Sequence, residues 1–302
     1  MNWRLTGCIL LFAGFGVQLP AQTRYATGQD VVPVFEGWER NADGSFNMVF
    51  GYMNRNYEEQ VDIPVGPSNK IEPGPADQGQ PAHFYRRRQQ FVFKVKVPRD
   101  WGTKDLVWTL TSAGHTEKAY GTLQPTGELG NLVYQENRGG PGDMTYPEEP
   151  NAAPTIEMVG PANRAVKVQD SLALTVEVTD DGHPKPRARK TPAGTIRDSD
   201  GAVVATGPER TGGPQKENPL TQAVVKLDPG VTLGVTWILY RAEPGGVAGG
   251  VTFDPMRIKV VDGKATTKVR FSKAGVYRLR AYADDGVLVT PLDVTVTVEG
   301  SN

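Results

Sequence analysis

The chain is 302 residues long, enough for two ordinary domains. Its formal net charge is −1, with 33 Lys and Arg against 34 Asp and Glu, so the basic excess of a nucleic-acid binder is absent. Gly (35) and Pro (24) are abundant while aromatics make up 8%, which suits many short strands joined by turns. The alternating apolar runs described below exclude a disordered chain.

Residues 1–21, MNWRLTGCILLFAGFGVQLPA, have the layout of a secretory signal peptide. Arg4 gives a positive n-region, an apolar run follows over 8–17, and Ala21 offers a small residue for cleavage before Gln22. A bilayer-spanning helix needs ~20 residues, and neither this run nor any later one is long enough. An uncleaved N-terminal anchor is the alternative. Cys8, the single cysteine, sits in Leu5-Thr6-Gly7-Cys8, which spells a lipobox, but the apolar core follows it instead of preceding it. Cleavage after Ala21 leaves a mature chain with no disulfide and no thiol chemistry, held by its core alone. A secreted, periplasmic or extracellular location is the expectation.

A first domain is expected over 28–124. Residues 31–38 open it, Asn41-Ala42-Asp43-Gly44 marks a turn, and 45–53 alternate with Phe46, Met48, Phe50 and Tyr52 on one face. A third run covers 60–65, and the Gly/Pro/Asp-rich stretch 68–80 reads as a surface loop. In 89–97, Phe91, Phe93, Val95 and Val97 share a face while Lys94 and Lys96 turn to water. Residues 105–111 and 118–123 form a hairpin about Ala113-Gly114. Six short strands without helical periodicity predict an antiparallel β-sandwich.

Three features of this half could bind a ligand. Arg86-Arg87-Arg88, beside Phe84 and Tyr85, could hold an anionic sugar or phosphate, or lie as a solvated loop before a strand. Trp38, Tyr52, Trp101 and Trp108 could stack on a sugar ring. Trp108 lies mid-strand and reads as core, and Trp101, after Pro98-Arg99-Asp100, as the surface candidate. Asn54-Arg55-Asn56 and Asn69 could be ligand contacts but read first as turn residues. The set Gly51-Tyr52-Met53-Asn54, Ile63-Pro64-Val65-Gly66-Pro67, Gly79-Gln80-Pro81, Trp108-Thr109-Leu110-Thr111-Ser112 and Ala119-Tyr120-Gly121 resembles a module of uncharacterised exported bacterial proteins. That resemblance implies fold and location, and no activity.

Residues 125–152 read as a linker, with Gly139-Gly140-Pro141-Gly142 and Pro147-Glu148-Glu149-Pro150, and with a short helix or strap over 128–137. A second domain is expected over 153–299. It starts with a strand near Thr155-Ile156 and a turn at Asn163-Arg164-Ala165. Residues 171–180 alternate with Leu172, Leu174, Val176 and Val178 inward, a long insertion covers 183–220, and a central strand over 231–240 contains Trp237. Three consecutive strands over 265–298 close the domain.

The residues 175–182 (TVEVTDDG), Gly250-Val251-Thr252-Phe253 with Lys264-Ala265-Thr266-Thr267, Gly275-Val276-Tyr277-Arg278-Leu279 and Ala283-Asp284-Asp285-Gly286 resemble immunoglobulin-like sandwiches of bacterial surface proteins, of the PKD and cadherin-like types. The resemblance implies an all-β chain of two antiparallel immunoglobulin-like sandwiches. Tyr277 stands at the tyrosine-corner position, with Leu279 where antibody domains carry a cysteine. In that fold the turns after 171–180 and 276–284 share one end, so Asp180, Asp181, Asp284 and Asp285 should converge. Ca²⁺ could neutralise them, as could Lys185, Arg187, Arg189 and Lys190 of the insertion, or they are simple Asp-Asp-Gly turns. Asp198-Ser199-Asp200-Gly201 lacks EF-hand spacing and reads as a hairpin turn between 195–196 and 203–204.

His83, His115 and His183 share no metal-ligand spacing, and neither a nucleophile elbow nor a phosphate loop is present. The expectation is a non-enzymatic exported module for binding or assembly, with a protein or glycan partner at the cell envelope and no cofactor unless Ca²⁺ binds. The alternatives are a carbohydrate-binding protein using Trp101 and Arg86 to Arg88, or an accessory subunit of an exported enzyme or filament.

Overall fold

Alternating side chains from residue 31 onward leave most strands with one apolar face, and the fold is the set of sheets that buries those faces. The computed structural model describes residues 25–137, 151–183, 196–197, 203–205, 223–228, 231–243 and 250–300. The signal-peptide stretch with Cys8, the 139–150 stretch, Lys185, Arg187, Arg189, Lys190 and the 198–201 turn lie outside the described residues.

The first half contains β1 (Val31–Arg40), β2 (Phe46–Asn54), β3 (Val61–Asp62), β4 (Asn69–Glu72), β5 (His83–Phe84), β6 (Arg87–Val97), β7 (Leu106–Ser112) and β8 (His115–Gly121). One sheet has the order β1-β2-β6, a second β4-β7-β8, and β3 pairs with β5. Between the sheets lie Met48, Phe50, Ile71, Phe93, Trp108 and Leu110. Phe93 lies 5.5 Å from Phe50, stacked, and 4.9 Å from Trp108, edge to face. Fully burying a side chain of this kind contributes about 1.5–3 kcal/mol.

The 68–80 stretch, expected as a surface loop, supplies β4 instead. Asn69, expected in a turn, is fully buried. Its Nδ2 donates to the carbonyls of Ile63 (2.9 Å) and Pro81 (2.8 Å), and its Oδ1 accepts the Trp108 indole N–H at 3.0 Å. A polar side chain tolerates such a position because every one of these partners is itself buried and needs a bond.

Beyond β8 the chain straps back over β1. Trp38 Nε1–H donates to Gln124 O (2.7 Å), Leu129 N–H donates to Trp38 O (2.8 Å), and the helix α1 (Asn131–Asn137) follows. Gly37 permits the close pass: at φ +141° a Cβ there would stand 2.5 Å from Gly127 O.

The second half contains β9 (Thr155–Met158), β10 (Asn163–Lys167), β11 (Ser171–Thr179), β12 (Ile196–Arg197), β13 (Val203–Ala205), β14 (Gly234–Glu243), β15 (Val251–Asp254), β16 (Arg257–Lys259), β17 (Lys264–Phe271), β18 (Gly275–Asp284) and β19 (Val289–Glu299). Two sheets, β9-β11-β17-β15 and β10-β19-β18-β14-β16, enclose a core that includes Leu174, Val176, Trp237, Phe271, Leu279 and Val296. The order is that of the A-B-E-D and G-F-C sheets of an immunoglobulin sandwich.

The Tyr277 hydroxyl donates to Lys273 O, four residues upstream, at 2.9 Å, which completes a tyrosine corner. Residues 163–165, expected in a turn, belong to β10, which pairs in parallel with β19. Its exposed and half-buried pattern reads as a turn, and only the partner strand makes it a strand. Among the described residues no helix is long and apolar enough to cross a membrane.

Candidate functional site at the seam of the two sandwiches

Each sandwich carries a β-bulge at the seam. In β14, Leu239 pairs with Leu279 and Arg241 with Arg278, so Tyr240 is an extra residue. In β6, Phe93 pairs with Phe50 and Gln89 with Tyr52, so Gln90, Phe91 and Val92 stand against Gly51 alone. Bulges re-aim side chains and free backbone groups from the ladder. This one separates Phe91 from Phe93, which had been expected on the same face. Phe91, at φ +53°, packs instead with Val49, Tyr134 and Val287.

The groups released by one bulge are met by the other sandwich. Leu239 N–H donates to the Tyr85 hydroxyl at 2.9 Å, and Ala82 N–H donates to Tyr240 O at 3.1 Å. The Tyr282 hydroxyl donates to Val92 O at 2.9 Å, and the Tyr240 hydroxyl to Gly79 O at 2.5 Å. Because β16 pairs with β14 only over Gly234–Thr236, the rest of that edge is open. Residues 82–85 cover it, which removes an edge that could pair with another chain. Ile238, Tyr240 and Tyr282 form the buried layer, with Tyr85, Val92, Val224 and Val289 packed on it.

Two arginines serve the seam. Arg241 is nearly buried and bonds both Asp77 oxygens at 2.8 Å, with Nε donating to Gln80 O at 2.8 Å. The Arg241 hydrogen bond holds the Asp77 carboxyl at about 2, below its ordinary range. Arg280 lies 3.5 Å above the Tyr240 ring and donates to both oxygens of Asp293 at 2.6 and 2.9 Å. Burial works against the Arg280 charge, but Tyr240, Asp293 and Tyr282 more than offset it and raise its pKa. Burial likewise raises the Tyr52, Tyr85 and Tyr240 hydroxyls, which stay protonated as donors or bridges.

The three neighbouring arginines of the sequence go separate ways. Arg87 is buried, donates to Arg55 O at 2.8 Å and lies 3.9 Å over the Tyr57 ring. Arg88 is 2.7 Å from Glu36, whose pKa burial raises despite that pairing. Arg86 alone faces solvent. Trp101, expected at the surface, is buried, and its indole N–H donates to Lys104 O at 2.7 Å. Trp38, Tyr52 and Trp108 are buried too, so none of the four rings offers a face to a sugar. The Pro98–Trp101 backbone turn (Trp101 N–H to Pro98 O, 3.1 Å) folds this indole inward onto the core.

The four aspartates occupy the turns after β11 and β18. Asp285 Oδ1 accepts the N–H groups of Val287 and Leu288, both at 2.7 Å, and its Oδ2 accepts Asn151 Nδ2 at 3.1 Å. Asp284 accepts Gly286 N–H (2.8 Å), Asp180 accepts Gly182 N–H (2.9 Å), and Asp181 accepts Ala152 and His183 N–H (2.7 and 2.9 Å). Burial first, and then the charges of Asp285 and Asp181, raises the Asp180 carboxyl. Burial also raises Asp285, whereas the amides of Ala152 and His183 lower Asp181. Among the described residues, no three His, Cys, Asp or Glu side chains are grouped as metal ligands. The turn that Asp285 shapes carries Val287 into the cluster with Phe91 and Tyr134.

One pocket of about 250 Å³ opens on the seam, lined by Gln60, Tyr85 and Arg86 from the first sandwich and by Ala223, Val224, Lys226 and Arg257 from the second. Sequence reading reached Arg86 and its neighbour Tyr85 and missed the residues of the second sandwich, because Lys226 and Arg257 lie in stretches without a motif. The seam itself left one signal. Residues 234–241 are buried on both faces, and a strand buried on both faces reads as a continuous apolar run.

No protein-family model matches the chain, and no curated protein matches it. Among solved structures, the titin Z1Z2 domains in complex with telethonin share 10% identity over 89% of this chain and 98% of that one, at a TM-score of 0.24. The D0–D1 domain of intimin shares 9% over 89% of this chain and 100% of that one, also at 0.24. The Clostridium thermocellum CbhA fibronectin(III)-like modules share 11% over 90% and 95%, at 0.23. Likenesses this low carry no argument, and the fold assignment rests on the strand order of the sheets themselves.

Proposed function

We propose that this chain is a non-enzymatic exported module, working at or outside the cell envelope, in which two sandwiches act as one rigid body for binding or assembly. The observation that supports this reading is the seam. Domains joined by a small polar interface move relative to each other. Here a buried tyrosine layer, two facing bulges, a docked turn and the Arg241–Asp77 pair link the halves. The outer face of the β18-β14 sheet is thereby used within the chain, which leaves the outer face of β11-β17 and the loops for a partner. On this reading the PKD- or cadherin-like resemblance of 175–182 and 275–286 belongs to a surface module, and the N-terminal 21 residues direct export.

Small-angle scattering on the full chain, together with fractionation of cells carrying a C-terminally tagged copy, tests both halves of the reading. A scattering curve matching two docked sandwiches and a tag outside the cytoplasm are expected. A curve that requires a flexible pair, or a cytoplasmic tag, would sink it. Sedimentation velocity separates a solitary module from a filament or enzyme subunit, since only the latter self-associates or travels with a second chain.

A further inference from the structure

We infer that the cleft lined by Pro64, Val65, Ala82, Ala242 and Val276 binds an extended, largely uncharged peptide segment, which adds a short strand to the free edge of β14. The inference rests on the docked arrangement proposed above, because the cleft takes residues from both sandwiches. Its volume is about 620 Å³, inside the roughly 300–1,000 Å³ usual for ligand sites, which favour the meeting line of two domains.

The backbone of β14 points to a peptide. In a strand the N–H and C=O of one residue share a side, and alternate residues use the same side. Tyr240 O faces the seam and accepts Ala82 N–H at 3.1 Å. Glu243 O faces β18, since a Cβ on Gly275 would stand 2.8 Å from it. Ala242 lies between them in the pattern and opposite Tyr277, so its N–H and C=O turn away from β18, to the side where Ala82 meets Tyr240. Neither group has a backbone partner among the described residues, and β16 pairs with β14 only over Gly234–Thr236. The first sandwich cannot supply one. Pro81 has no N–H to continue the pairing, while Gln80 O and Gly79 O already accept the Arg241 and Tyr240 side chains.

The flanking side chains are apolar. Pro64 is exposed, and Val276 is the large apolar residue of β18 left in water, at 44%. An open strand edge between apolar walls is how extended peptides dock: the main chain pairs, and alternate side chains fill the pockets beside it. Charge does not choose the ligand. Arg241 donates to both oxygens of Asp77, and Glu243 stands diagonally across from Arg278 on one face of the sheet. The site also continues an interface already made, because Ala82 occupies the same edge two residues earlier. A volume near 620 Å³ admits a few residues of one chain and not the edge of a second sheet.

The test is a titration of the isotope-labelled full chain, followed by amide NMR, with the peptide acetyl-SVTVTS-amide. Two further copies of the peptide are N-methylated, one at both valines and one at both threonines. Saturable shifts at Ala242 and Val276 are expected. A strand pairs through one side at a time, so one methylated copy should bind about tenfold more weakly and the other nearly as well as the parent. Ala242→Pro, which removes the free N–H, should weaken binding about tenfold. Val276→Asn, at an exposed position that should not disturb folding, should weaken it about threefold or more and carries the test if the proline variant unfolds. Val261→Asn, also exposed but outside the lining, should leave it unchanged. Absence of saturable shifts at Ala242 and Val276 would overturn the assignment, as would equal binding of the two methylated copies, which means apolar contact without strand pairing. Maltohexaose moving these amides where the peptide does not would assign the cleft to a glycan instead. A chain that scatters as two docked sandwiches yet binds no peptide refutes the cleft alone and leaves the rigid-module reading standing.

Discussion

Arg241 and Asp77 stand 164 residues apart in sequence and meet across the seam through two hydrogen bonds of 2.8 Å. Arg241 is nearly buried while the Asp77 side chain is half-exposed. The pair therefore closes the rim of the interface, with the tyrosine layer beneath it.

Removing that carboxylate strands a buried cation on the single carbonyl of Gln80. Asp77→Asn should cost about 1–3 kcal/mol, the price of unmaking charged hydrogen bonds at a partly desolvated site. Calorimetry should show one unfolding transition in the native chain, and an earlier or split transition in the variant. Unchanged unfolding would mean that the pair decorates a seam held by other contacts.

The same pair sets an acid limit. Asp77 titrates at about 2 in the folded chain against an ordinary 3.8, with the Arg241 hydrogen bond as the leading cause. A depressed folded pKa gives stability that is complete above the unfolded value and lost as pH falls through the folded one. Urea midpoints measured at pH 4, 3 and 2 (roughly the span between the two values) should fall less steeply for Asp77→Asn than for the native chain. Parallel slopes would contradict the assignment.

Tyr85 bridges the halves through one atom, its hydroxyl, which accepts Leu239 N–H at 2.9 Å. Tyr85→Phe keeps the ring and leaves that buried amide without a partner, at about 1–3 kcal/mol. Hydrogen exchange at Leu239 should accelerate more than at Leu279, its ladder neighbour. Equal protection at both sites would show that water replaces the hydroxyl.

Asn69 serves three buried partners within the first sandwich. Asn69→Ala should cost about 3 kcal/mol or more, read from equilibrium denaturation, because each stranded group keeps its own desolvation penalty. A loss below about 1 kcal/mol would mean the site rearranges to pair them.

Asp285 accepts two turn amides and the Asn151 side chain. With those oxygens occupied, millimolar Ca²⁺ or EDTA should leave Tm unmoved. Asp285→Ala should lower it by about 1–2 kcal/mol of stability equally in both, as loss of a turn cap does. A Ca²⁺-dependent rise that Asp285→Ala abolishes would restore a cation site at these turns.

Period-two alternation over 45–53, 171–180 and 265–298 was enough to place most long strands, since side-chain direction in a strand is a local property. The tyrosine corner was legible for the same reason: Tyr277 and Lys273 are four residues apart. Asn69 and the 163–167 strand were not, because a polar side chain or a half-exposed strand acquires its role only from a distant partner. Trp101 was misplaced to the surface because the approach Pro98-Arg99-Asp100 says nothing about where the following ring folds.

By itself, then, the sequence determined an all-β chain of short antiparallel strands with a Gly-x-Tyr corner at 275–277; that Gly275 adopts φ +155° with a Cβ position 2.8 Å from Glu243 O belongs to the tertiary structure. Tertiary structure decided everything about the seam. Two bulges had to face each other before Tyr240, Phe91 and Val92 could meet their partners, and a bulge is a mismatch of register between strands, which neither strand encodes alone. Arg86 joined Arg257 and parted from Arg87 and Arg88 because it lies before β6, outside the ladder, and Arg87 at φ +61° breaks the alternation of the strand it opens.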